Sequence, residues 1–287
     1  MTKIDRKDFL KTTSAVIAGV MAIQNPLRAI GSHSDSLQVW SCGGLAEAFI
    51  PANNLFYKER GCQINYTGAF AAALGKSLLG SAQTEVFAPR VLDLAKKLKG
   101  QGKMLSFQPL CFTKYVLITR KGNPLKINSI EDLSKSGIKI VTSPNASAPG
   151  GAATMGILKK SGVLEKAKGN IVHKGDCVQM DVTLITGGKA DVAVMERRIA
   201  MLPSVKGKVD IIDIPEEFIP APPVTFTIGV MKWAKNPDLA GDYVNFITSE
   251  KGQKFFADVG FIPALSEEGQ RLTIKYGVKD ETIPSAN

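Results

Sequence analysis

The sequence predicts an α/β fold of two doubly wound lobes joined by two hinge strands. Three observations predict it. From residue 37 onward, short apolar strands alternate with helical segments across glycine-containing loops. The alternation comes in two series, broken by the apolar stretch Phe112 to Thr119 and again at Ala221-Pro222-Pro223. Finally, 287 residues, 44% hydrophobic and 22% charged, are enough for one large core or two smaller ones. That composition excludes a disordered, coiled-coil or collagen-like chain.

The first series opens with the strand Leu37 to Ser41, followed by Cys42-Gly43-Gly44. A helix from Leu45 to Glu59 puts Leu45, Ala48, Phe49, Ala52 and Phe56 on one face, and Gly61 stops it. Gln63 to Thr67 alternates as a second strand, and Gly68-Ala69-Phe70 leads into a helix from Ala71 to Leu79. Glu85 to Ala88 is a third strand and Arg90 to Leu98 a third helix, so a parallel sheet is expected. Phe112 to Thr119 reads as one strand ending at the turn Gly122-Asn123-Pro124.

In the second series, Ser129 caps a helix start with Asp132 at its third position. Strands are expected at Ile138 to Val141, Asn170 to Lys174, Ala190 to Met195 and Ile211 to Ile214, with helices at Ala153 to Lys160 and Val178 to Thr186. After the proline break come the strand Val224 to Met231 and the helices Leu239 to Ile247 and Gly252 to Val259. The first lobe is then residues 37–110 plus 228–287, the second residues 120–222. Ligands of open parallel sheets sit beyond the carboxyl ends of the strands, here the cleft between lobes.

Residues 1–35 read as an export signal. Lys3, Arg6, Lys7 and Lys11 precede the apolar run Thr12 to Ile23, then Asn25-Pro26 and a small polar stretch. The run is far shorter than the roughly 20 residues that span a bilayer, which favours an exported chain over an anchored one. Asp5 to Lys11 is similar to a twin-arginine signal with lysine at the second arginine, and points to the periplasm. The formal charge of +10 is partly this leader and otherwise scattered lysine. No basic run interleaves with aromatics, so nucleic acid is not an expected partner. The 2 histidines, His33 and His173, leave no His-rich metal site.

Four loops follow strands and open helices: Ser41 to Gly44, Gly68 to Ala71, Ser143 to Gly151 and Gly175 to Val178. Free backbone N–H groups at helix starts favour an anion, and small residues let it approach closely. Every α/β protein has such starts, but the glycine and alanine that dominate these loops favour a binding cage over that plain reading.

The residues carry a resemblance. The leader is followed by V-W-S-C-G-G-L-A-E-A-F, F-Y-K-E-R-G-C-Q-I, E-V-F-A, Y-V-L-I-T-R, I-N-S-I-E-D-L, S-P-N-A-S-A-P-G-G-A-A, G-G-K-A-D-V-A-V and G-Q-K-F-F-A-D-V-G-F-I-P. In this order they resemble the solute-binding proteins of ABC importers (type II periplasmic binding proteins), most of all the molybdate/tungstate branch. The resemblance implies a monomer without enzymatic activity or cofactor. It would capture a small inorganic oxyanion in the cleft and deliver it to a permease in the inner membrane. Contacts are expected from Cys42, Gly43, Gly44, Phe70, Ala71, Gly150, Cys177, Val178, Met195 and Glu196, of which the resemblance itself implies Gly44, Ala71, Gly150, Val178 and Met195.

The site residues depart from that branch. Its two binding serines correspond to Gly44 and Ala71, its third-loop N–H to Gly150 beside Pro149, its fourth to Val178, and its tyrosine to Met195 next to Glu196. Hydroxyls are lost and two thiols, Cys42 and Cys177, stand at helix starts that would lower their pKa. With Met195 and Glu196 they would suit a thiophilic metal or metalloid. Alternatively they form a disulfide or are packed as small apolar groups. Cys62 and Cys111, each placed at a strand start, read as structural, and His173 as packed or at the rim. Arg90, Arg197 and Arg198 follow strand ends, where solvated surface competes with a place at the cleft rim. A periplasmic sensor subunit docking on a histidine kinase, or a cysteine-dependent enzyme, are the other readings of this fold.

Overall fold

The computed structural model describes residues 35–146, 150–219 and 225–278. The leader apart from Asp35, Pro149 and the Ala221 to Pro223 break lie outside the described residues.

The chain begins with β1 (Ser36–Cys42), a 3-10 turn (Gly43–Leu45), α1 (Ala46–Arg60), β2 (Gln63–Ala69), α2 (Ala71–Leu79), β3 (Val86–Ala88), α3 (Leu92–Gly100) and β4 (Met104–Phe112). It crosses through Thr113-Lys114 to β5 (Tyr115–Arg120), β6 (Ile140–Thr142), α4 (Gly150–Lys160), α5 (Leu164–Ala167), β7 (Ile171–Lys174), α6 (Val178–Thr186), β8 (Val192–Glu196), α7 (Arg197–Met201) and β9 (Val209–Asp213). It then returns as β10 (Thr225–Met231), α8 (Pro237–Thr248), α9 (Glu250–Asp258), β11 (Ile262–Pro263) and α10 (Glu267–Lys275).

Two sheets result, in the orders β11-β4-β10-β3-β1-β2 and β7-β6-β8-β5-β9. Each sheet with its helices forms a lobe. The sheets are mixed rather than purely parallel. β1 runs parallel to β2 and β3, but β10 is antiparallel to β3 and β4, and β5 is antiparallel to β8 and β9. Of the reversed strands, β5 and β10 have just crossed from the other sheet, whereas β11, antiparallel to β4, has not. The single strand expected from Phe112 to Thr119 is two strands in different sheets, turned apart at Thr113-Lys114. Both flanks are apolar, so hydropathy alone shows no break there.

Both sheets are packed on both faces, as alternation along a strand requires. Leu37 and Val39 of β1 join a core with Phe49 and Phe56 of α1 and Tyr243 of α8, while Trp40 packs into the opposite core with Leu74, Leu92 and Leu272. In the second lobe, Leu117 of β5 faces Ile157 and Leu158 of α4, and Val116 and Ile118 face Val182 and Ile185 of α6. The expected apolar face of α1 is buried, and Gly61 ends the helix in the left-handed conformation (φ 68°), with its N–H donating to the Tyr57 carbonyl at 2.8 Å. The Ser129/Asp132 capping box is present, but opens a 3-10 helix, Ile130–Ser134.

Candidate functional site

The loops after β1, β2, β6 and β7 meet around one cavity of about 590 Å³ between the lobes. The first lobe contributes Cys42, Gly43, Gly44, Gly68, Phe70, Ala71, Glu47 and Arg90. The second contributes Ala146, Gly150, Asp176, Cys177, Val178, Gln179, Glu196 and Arg198. Local sequence explains the convergence: each strand runs into a loop of small residues whose next residues begin a helix. Hence the backbone N–H groups of the first turns of α2, α4 and α6 open on the same space.

Three of these starts have no capping side chain. Cys42 before the 3-10 turn, Phe70 before α2 and Cys177 before α6 occupy the capping positions without accepting a hydrogen bond. Elsewhere the starts differ: Asn236, Ser249 and Ser266 cap α8, α9 and α10 by accepting from Leu239, Gly252 and Gly269 N–H at 3.0, 3.3 and 3.0 Å, whereas α1, α3 and α5 also lack a capping side chain. Partial positive charge is therefore left facing the cleft.

The floor of the cavity is an ion network. Glu196 Oε1 lies 2.8 Å from Arg90 Nη1, and Oε2 accepts from Arg198 Nε at 2.8 Å and from Thr113 Oγ1 at 3.3 Å. Arg90 also donates to the Tyr115 hydroxyl at 3.1 Å and lies over the Phe226 ring. Burial pushes the Glu196 carboxyl up, but the two guanidinium charges and their hydrogen bonds outweigh it and hold the pKa at about 2. Arg198 reaches over the first lobe, since a Cβ on Gly44 would stand 3.1 Å from its Nη2. Glycine at 44 gives this guanidinium its room.

Of the residues expected at the site, Cys42, Gly43, Gly44, Phe70, Ala71, Gly150, Cys177, Val178 and Glu196 line the cavity. Met195 does not. It is 2% exposed in the core with Val116, Val182 and Ile199, because neighbours on a strand point to opposite faces and Glu196 takes the cleft side.

The expected soft-metal set is thus not assembled. Both Glu196 oxygens are held by arginines, and among the described residues no group of three or more His, Cys, Asp or Glu side chains is gathered for a metal ion. Nor is the Cys42 thiol activated: burial raises its pKa, outweighing the Gly44 backbone hydrogen bond that favours the thiolate. All four cysteines are free, Cys42, Cys62 and Cys111 buried and Cys177 exposed. Cys111 lies near the end of β4 rather than at a strand start. His173 is half-buried beside Gly175, outside the cavity.

Sequence reasoning missed the pairing of Arg90 and Arg198 with Glu196. Its only local signal was that all three residues sit at or just past strand ends.

Residues 37–262 match the family model described as bacterial extracellular solute-binding protein. The chain belongs to that family. This is a family of binding proteins, and among the described residues no helix is long and apolar enough to cross a membrane. The molybdate-binding protein ModA of Mycobacterium tuberculosis is 27% identical over 230 residues, 79% of this chain and 84% of the relative. A substrate-binding domain from Clostridium difficile, assigned to a molybdenum ABC transporter, superposes with a TM-score of 0.71 at 21% identity over 80% of this chain and 99% of its own. The periplasmic molybdate-binding protein of Azotobacter vinelandii gives 0.64 at 19% identity, over 79% and 98%. At these identities the structures establish the fold, that of the type II periplasmic binding proteins.

Proposed function

We propose that this solute-binding protein captures a small tetrahedral oxyanion, of the molybdate or tungstate type, in the cleft between its lobes. The observation that carries the reading is the set of helix starts at Cys42, Phe70 and Cys177, all without capping side chains and all on one cavity. An anion there can accept hydrogen bonds from the backbone N–H groups of these starts. Glu196 occupies Arg90 and Arg198, so selection rests on the geometry of neutral donors more than on free positive charge. The molybdate-binding relative supports the same ligand class.

In this reading the leader directs the chain to the periplasm, by the twin-arginine route. There the lobes close on the ion about their two connecting segments, and the loaded monomer hands it to an ABC permease without chemical change. The test is calorimetric titration of the purified chain with molybdate, tungstate, sulfate and phosphate, beside thermal melts. Saturable binding of at least one oxyanion with a raised Tm is expected. Silence toward all four would remove the reading.

A further inference from the structure

We infer that the cleft holds a second, apolar subsite beside the anion site, and that its ligands include organic acids with a tetrahedral oxyanion head and a short apolar body. Phosphonates, phosphate monoesters and sulfonates share that chemistry. The inference rests on the proposed anion site and widens its ligand class.

A second cavity of about 500 Å³ adjoins the first. Its apolar walls are Ile50 and Pro51 of α1, Met201 and Leu202 at the end of α7, and Val259 and Phe261 after α9. Both lobes build it, and Glu47 and Arg198 line both cavities. Arg198 is therefore the partition: its Nε is fixed on Glu196 while its guanidinium covers Gly44.

The chamber is a close-fitted junction rather than a loose gap. Gly260 (φ +88°) brings the backbone so near α7 that a Cβ there would be 2.7 Å from Met201 Cγ and 3.2 Å from Arg198 Cα. Yet Ile50 remains 54% exposed on its wall. Lys206 and Asp258 also line the chamber, but an inorganic ion gains nothing from its apolar walls. An organic anion whose head meets the helix starts can lay its body past Arg198 and cover it, gaining about fourfold in affinity for each methylene removed from water. The volume lies within the ordinary range for small-molecule sites.

The experiment is calorimetric titration of the full mature chain with molybdate, methylphosphonate, n-butylphosphonate and phenylphosphonate. Butylphosphonate is expected to bind at least about tenfold tighter than methylphosphonate, with a negative heat-capacity change. Met201→Gln and, separately, the solvent-accessible Ile50→Gln should each reduce that advantage severalfold. Both should leave molybdate and methylphosphonate affinity unchanged. Equal affinity for the butyl and methyl acids, or a tail advantage that survives both substitutions, overturns the subsite. If molybdate binds but the tail adds nothing, the subsite alone fails. If no probe binds, molybdate included, the anion site fails with it.

Discussion

Arg90 and Glu196 form a buried ion pair across the lobe boundary, Nη1 to Oε1 at 2.8 Å, with side chains 7% and 8% exposed. One residue follows β3 of the first sheet, the other ends β8 of the second. Taking both charges out of water is costly, and the attraction repays it only where the remaining polar atoms are also satisfied. Here Arg198, Thr113 and Tyr115 do this. Removing one partner strands the other, so Glu196→Leu or Arg90→Met alone should destabilise by about 3–5 kcal/mol. The double variant should lose less than the sum. Urea denaturation of the four proteins measures the coupling, and strict additivity would mean that the pair does not act as a unit.

The same carboxylate makes stability depend on acid. Its pKa is lowered from an ordinary 4.5 to about 2 in the folded protein. A depressed carboxyl contributes stability that is whole above its unfolded value and is lost as pH falls through its folded value. The stability of the wild type should therefore decline between about pH 4.5 and 2, beyond what the other carboxylates cause. Glu196→Gln starts lower and should fall less steeply over that window. Parallel slopes for the two proteins would show that Glu196 is not held as described.

Much of the site was legible because it is written locally. Cys42-Gly43-Gly44, Phe70-Ala71, Gly150 and Cys177-Val178 each stand where an apolar strand runs into a small-residue loop and a helix, and all of them line the cavity. Parity misled only at Met195, where the strand end at Glu196 decides which neighbour faces the cleft. The ion network was not legible, since Arg90 and Glu196 meet only once two sheets have formed and packed. The mixed sheets escaped for a related reason. Strand direction depends on which sheet a crossing segment enters, and β5 and β10 carry no local mark of it.

Thiol reactivity should separate the two cleft cysteines. Cys177 is exposed, whereas Cys42 is 8% exposed and burial raises its pKa. An aromatic disulfide reagent at pH 8 should label Cys177 rapidly in the native protein, and Cys42, Cys62 and Cys111 only on unfolding. Peptide mapping after a short pulse identifies the site. Early labelling of Cys42 would mean that it is an accessible thiolate after all.

Gly44 and Arg198 give the sharpest test of how the two lobes are fitted across this cleft. A serine at 44 would carry a hydroxyl, but its Cβ meets the Arg198 guanidinium at 3.1 to 3.3 Å. The flexible arginine must then shift, loosening its 2.8 Å contact with Glu196. Gly44→Ser alone should therefore lower Tm, and Arg198→Ala alone should too, by leaving Glu196 with one guanidinium fewer. Once Arg198 is gone, however, the serine has space, so the combined variant should be no less stable than Arg198→Ala. Molybdate affinity should follow a different order. Arg198→Ala/Gly44→Ser gains a neutral donor in the cavity, worth about 1.5–3 kcal/mol against a charged acceptor, and should bind more tightly than Arg198→Ala. Thermal melts and calorimetric titration of the four proteins read both orders. If Gly44→Ser costs as much stability without Arg198 as with it, the arginine and the glycine are not paired across the cleft.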